Sequence, residues 1–217
     1  MNRKAFCIIL GICLACLVMA LMETVFQPGY VIKSAVKAAL FLGTVLYLGS
    51  LRGLLRREGL GAAAALGAGI YGVILGAFLL FRSFIDLEAI AAGLLGKEGI
   101  RRENFLWAAL YISIVNSGLE ELLFRGLGYL ELRKFTSGPF AMVASAAAFA
   151  AYHIAILDGW FSWWMYALCM LGLFLGGLIF NFLDRRGSIL PGWLAHAAAN
   201  LAINAIGAMM YGFVPVP

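Results

Sequence analysis

Hydrophobic positions in this chain run in long blocks rather than alternating with polar ones. The blocks cover residues 5–26, 35–51, 60–81, 105–130, 139–157, 161–182 and 188–213, with few or no charges inside each. A bilayer's hydrocarbon core needs about 20 consecutive apolar residues per helix. The pattern therefore predicts an all-α integral membrane protein, a polytopic bundle of about seven transmembrane helices in a single membrane domain over 1–217. Gln27-Pro28-Gly29 reads as a turn, and Arg52 to Gly59 as a basic loop. The stretch from Arg82 to Asn104 mixes charges with Ile, Leu and Ala at near-helical spacing. Its apolar core is too short to cross, so an interfacial amphipathic helix is expected there. Residues 1–104 thus read as N-terminal helices plus an interfacial segment.

Composition agrees with lipid as the solvent. Hydrophobic residues make up 64% of the chain and charged ones 12%, about half the charge of an average soluble domain, and mean hydropathy is +0.96. That excludes a soluble globular domain. The net charge of +5 does not point to nucleic acid, because the basic residues fall in short clusters between apolar blocks instead of along one stripe. They read as topology signals and contacts to anionic lipid.

The basic residues also suggest an orientation. With Arg125 set aside as internal to a block, nine lie on the N-terminal side (Arg3, Lys4, Arg52, Arg56, Arg57, Arg133, Lys134, Arg185 and Arg186) and six on the other (Lys33, Lys37, Arg82, Lys97, Arg101 and Arg102). A cytoplasmic N-terminus follows. The first block resembles the start of a secretory signal, but it is long enough to span and no small-x-small site follows it before Glu23, so it is expected to stay as a helix. Cys7, Cys13, Cys16 and Cys169 lie within apolar blocks and imply packing, not a disulfide framework.

Ionisable groups at membrane depth cost a few kcal/mol each, so each requires a partner or a task. The fourth block holds Asn116, Glu120, Glu121 and Arg125, the fifth His153, and the seventh His196 and Asn200. The chain has only these two histidines. Residues four apart share a helix face, which sets Glu121 and Arg125 for an ion pair. Glu120 is left outside that pair, as a general-base candidate. His196 and Asn200 also share a face and together offer hydrogen-bond donors for an oxyanion. Asp158, Glu131 and Asp184 sit at block ends, where a solvated role is expected. Trp160, Trp163 and Trp164 read as an interfacial aromatic belt.

Glu120-Glu121-x-x-x-Arg125, Phe149-x-x-x-His153 and His196-x-x-x-Asn200, in that order on successive blocks, resemble the three motifs of the CAAX-protease and bacteriocin-processing family (CPBP, or Abi). Phe124, Gly126 and Pro191 agree with the flanking pattern. The resemblance covers about 105–205, the expected catalytic core. It implies peptide-bond hydrolysis in or near a membrane, of a membrane-associated peptide or protein, in a bacterial cytoplasmic membrane. It gives Glu120 and His153 the attacking water, His196 and Asn200 the oxyanion, and Glu121 and Arg125 the register of the site. Glu120, His153 and His196 are also candidate ligands for a divalent metal such as zinc, although no H-E-x-x-H pair lies on one helix.

Two other classes share the same residues. A non-catalytic scaffold or bacteriocin-immunity protein of this fold would not depend on Glu120. A proton-coupled transporter would use the buried Glu and His as a relay, although the sequence has no recognisable pair of broken helices.

Overall fold

Asn2 stands in extended backbone and its side chain accepts the Lys4 N–H at 2.9 Å, which starts α1 (Arg3–Leu21). The computed structural model describes residues 2–215, and within them the chain is helical with no strand. A π-helical turn, Met22–Phe26, extends α1. It ends at Gln27, in the left-handed region at φ 41°. α2 (Tyr30–Leu48) and α3 (Leu60–Phe81) follow, then a 3₁₀ turn, Arg82–Phe84.

The segment expected at the interface is α4 (Leu87–Glu98). Its ends explain its brevity. The Asp86 side chain accepts the Ala89 N–H at 2.9 Å, and Gly99 closes the helix in the left-handed region at φ 66°. α5 (Arg102–Tyr111) opens an unbroken helical run that changes register along its length. It passes through a π segment Ile112–Asn116, a short α6 (Ser117–Glu120), a second π segment Glu121–Glu131 and a 3₁₀ turn Leu132–Lys134. α7 (Gly138–Tyr152) is capped by Ser137 and carries a proline in its first turn. α8 (Trp163–Asp184) and α9 (Leu190–Met210) complete the bundle.

The second π segment is the axis of the molecule. Every residue from Leu123 to Leu130 is buried. Around it pack Ile8, Ile12 and Met19 of α1, Phe41 and Val45 of α2, Phe149 and Tyr152 of α7, and Phe180 of α8. The outer surface is apolar: Tyr47 is 87% exposed, Trp163 82% and Trp107 76%, beside Leu10, Leu14 and Leu17 of α1. Lys33, Lys37, Glu120, Glu121, Arg125 and Asp184, by contrast, are buried inside. Apolar outside and charged inside is the arrangement expected of a protein dissolved in lipid.

Small residues allow the close helix contacts that lipid-embedded bundles need. A Cβ on Gly67 of α3 would come within 3.1 Å of the Ala198 Cβ on α9, and one on Gly177 of α8 within 3.0 Å of Ala146 on α7.

Among the described residues, four helices are long and apolar enough to cross a membrane: Arg3–Phe26, Tyr30–Leu48, Leu60–Phe84 and Trp163–Asp184. The remaining blocks differ from the sequence expectation for physical reasons. α7 has 15 residues and stops at Tyr152, so His153 is its C-cap and not a mid-span residue. α9 has 21 residues but gives part of its length to His196, Asn200 and Asn204.

Two further expectations change. α2 begins at Tyr30, ahead of the apolar block, so Lys33 and Lys37 are helical and buried instead of loop charges. Carboxylates make this possible: Lys33 pairs with Glu23 at 2.7 Å and with Glu98 of α4, and Lys37 pairs with Glu120. Burial pushes the Glu98 carboxyl up from its usual range, with Lys33 opposing the shift. Asp184, expected to be solvated, is fully buried at the end of α8 and accepts the Gly192 N–H of α9 at 2.7 Å.

Candidate active site

Three imidazole and carboxylate groups from separate helices meet beside the central segment. Glu120 ends α6, His153 caps α7 and His196 lies on α9. His153 Nε2 is 3.9 Å from Glu120 Oε2, and His196 Nε2 is 3.6 Å from the same oxygen. That oxygen is buried and makes no hydrogen bond to any described residue.

Each ring is oriented through its other nitrogen. His153 Nδ1–H donates to the Phe149 carbonyl at 2.8 Å, one of the carbonyls left unpaired where α7 ends. His196 Nδ1–H donates to Glu121 Oε1 at 2.8 Å. Both Nε2 atoms are thereby turned toward Glu120. A carbonyl behind one ring and a carboxylate behind the other make the two imidazoles unequal, since the carboxylate stabilises positive charge as it develops on His196. Aromatic rings hold the rest of His196, which stacks on Phe180 at 5.2 Å and meets the edge of Phe149 at 5.4 Å.

Glu121 and Arg125 form the ion pair that their spacing suggests, with Nε 3.4 Å from Oε2 and both side chains fully buried. The guanidinium lies 4.2 Å from the Phe149 ring centre and 5.1 Å from that of Phe180. Asp184 lies within electrostatic reach of both Glu121 and Arg125. Sequence reasoning missed Asp184 because a carboxylate at the edge of an apolar block looks solvated.

Asn200 lies one turn beyond His196 on α9. Its amide donates to the Ile112 carbonyl at 3.1 Å, in the first π segment. Asn204 likewise donates to the Ala109 carbonyl and to Ser113 Oγ, and Trp193 to the Ile114 carbonyl and Ser117 Oγ. Residues 193, 196, 200 and 204 form one polar stripe along α9. Three of them bond to the 109–117 stretch, and this brings His196 opposite the Glu120–Glu121 pair. The structure thus brings Glu120, Glu121, Arg125, His153 and His196 together, with Asn200 on the same face bonded to backbone.

Glu120 is not a lone carboxylate. Its Oε1 takes Lys37 Nζ of α2 at 2.5 Å and the Asn116 amide at 3.0 Å. The donor types of Glu120, His153 and His196 would suit zinc, but the arrangement does not fit it well. No group of three His, Cys, Asp or Glu among the described residues is spaced to hold a metal ion. An ammonium already neutralises the one carboxylate, which weakens it as a ligand for a second cation.

Residues 102–202 match the family model described as type II CAAX prenyl endopeptidase Rce1-like. The matched stretch carries all three motifs, and over it the chain is similar to that family. No curated protein matches the chain, and no solved structure does.

Proposed function

We propose that the protein is an intramembrane endopeptidase hydrolysing a peptide bond of a membrane-associated peptide or protein. The observation that carries this reading is the buried Glu120 Oε2, free of protein hydrogen bonds and faced by Nε2 of both histidines at 3.6 and 3.9 Å. A water molecule between these groups would donate its protons to Glu120 and His153. Glu120 takes one proton as the water oxygen attacks the peptide carbonyl carbon, and later returns it to the leaving amine. His196, in the doubly protonated form whose Nδ1–H rests on Glu121, would donate from Nε2 to the oxyanion as negative charge gathers there. Asn200, one turn further along α9, offers its second amide N–H on the same side. Arg125 keeps Glu121 in position between its two rings.

The proposed setting is a multi-pass protein whose N-terminus is cytoplasmic. The central run, α7 and α9 would cross together with the four apolar helices, for seven crossings in all. Their polar faces would be turned inward, where hydration of the site replaces contact with lipid.

The direct test is cleavage of a proteome-derived library of membrane peptides by the detergent-purified protein, with Glu120→Ala and His196→Ala as comparisons. Products made by the wild type and lost in both variants are expected, the Glu120→Ala loss being about 10²- to 10⁴-fold, the usual worth of a general base. Wild-type products no more abundant than those of the variants would overturn the reading in favour of a non-catalytic membrane protein. Ion-coupled substrate uptake in proteoliposomes would favour a transporter.

A further inference from the structure

Lys37 lies on α2, outside residues 102–202 and outside all three motifs. Its side chain nevertheless reaches the centre of the site. Nζ donates to Glu120 Oε1 and to Asn116 Oδ1, both at 2.5 Å, and the residue is 4% exposed. The ammonium also lies 4.8 Å from the Tyr152 ring centre and 5.3 Å from that of Phe41. A buried cation this deep in a lipid-facing bundle needs an anion, and Glu120 is the carboxylate with which it pairs.

The pairing is one-sided. Lys37 and Asn116 both occupy Oε1, while Oε2 is left toward His153 and His196. A carboxyl group held only by two imidazoles can accept a proton from either ring, or turn about its terminal bond until neither oxygen points at the water. Either event removes the basic oxygen from the place where water would sit. An ammonium bonded to the opposite oxygen opposes both.

We propose that Lys37 is a positioning residue for hydrolysis, holding Glu120 ionised and anchored through Oε1 so that Oε2 stays free to take the water's proton. The inference rests on the reading of Glu120 as the general base. The titratable groups within electrostatic reach of Glu120 are Lys37 and Tyr30 from α2, Cys16 from α1, Tyr152 and His153 from the end of α7, and His196 from α9. Of these only Lys37 is a cation bonded directly to the carboxylate. The N-terminal half of the chain would therefore supply part of the catalytic apparatus as well as membrane anchorage.

The test measures kcat and KM from pH 5 to pH 9, using the peptide that the wild type cleaves fastest in the library and comparing wild type, Lys37→Arg, Lys37→Gln and Lys37→Met. Glutamine keeps a hydrogen-bond donor without the charge, so it serves if methionine prevents folding. Loss of the charge is expected to lower kcat at least tenfold at pH 7 while KM stays within about twofold. It should also move the acid limb of kcat up by about one pH unit or more, so that part of the loss recovers at pH 9. Lys37→Arg should leave the acid limb where the wild type has it. A folded Lys37→Gln protein with the wild-type kcat and acid limb would overturn this inference alone. Absence of cleavage by the wild type would overturn the protease reading on which it rests.

Discussion

His196 Nδ1 lies 2.8 Å from Glu121 Oε1, while Nε2 of the same ring faces Glu120 Oε2 at 3.6 Å. One imidazole thus joins two adjacent carboxylates that, as sequence neighbours, project about 100° apart. With Nδ1–H on Glu121, donation from Nε2 to an oxyanion requires a positive ring, so the charge on Glu121 matters and not merely its shape. Glu121→Gln is expected to lower kcat by about 10²-fold or more with little change in KM, as the loss of an orienting carboxylate does in other imidazole-based sites. Steady-state kinetics on well-folded protein checks this, and an unchanged kcat would leave Glu121 with a packing role alone.

The proposed base sets the sign of the pH dependence. Glu120 works only as a carboxylate, so activity should disappear as pH falls, while His153 must be neutral to accept a proton, which adds loss on the same side. Reference values of about 4.3 for Glu and 6.5 for His bracket where such limbs fall in water. A rate that stays flat from about pH 4 to pH 9 would speak against both assignments.

Removal of metal should have no effect. Lys37 already neutralises Glu120 at 2.5 Å, so hydrolysis is expected to continue after exhaustive chelation and dialysis. Activity abolished by a chelator and restored by zinc would show that Glu120, His153 and His196 rearrange around an ion.

Asp184 offers a test that concerns stability more than chemistry. It accepts the Gly192 N–H at the start of α9 at 2.7 Å, and a Cβ on Gly192 would come within 2.5 Å of its Oδ2. Asp184→Ala leaves a buried N–H without an acceptor and is expected to cost about 1–3 kcal/mol. Asp184→Asn keeps an acceptor and should cost less. Thermal unfolding in detergent will rank the two; equal values would mean that Asp184 acts through its charge on Arg125 instead.

What the sequence revealed, and what it did not, follows from how polar groups sit in apolar blocks. Glu121 and Arg125 were legible because four-residue spacing survives almost any helical context, and the helical class followed from block length. Lys37 was not, because a charge in the first turn of an apolar block has the same appearance whether it faces water or the bundle interior. Asp184 was hidden in the same way at the far end of α8. The position of His153 at a helix end was invisible because apolar residues continue to Leu157 after the helix has stopped. The π segments left no mark either: Leu123 to Leu130 is buried on all sides, so no polar stripe betrays its period.

That register makes the central helix a phase-setting element. In a π segment each N–H reaches back five residues instead of four, so Glu121–Glu131 holds more chain per turn than its neighbours. Deleting one residue there would rotate everything on one side of the cut relative to the other by one residue's angle, somewhat less than the roughly 100° of an α-helix. The carboxylates upstream would then turn away from the basic 3₁₀ turn and α7 downstream, with no side chain in the site altered. Chain length in this stretch is thus as much a determinant of the site as residue identity.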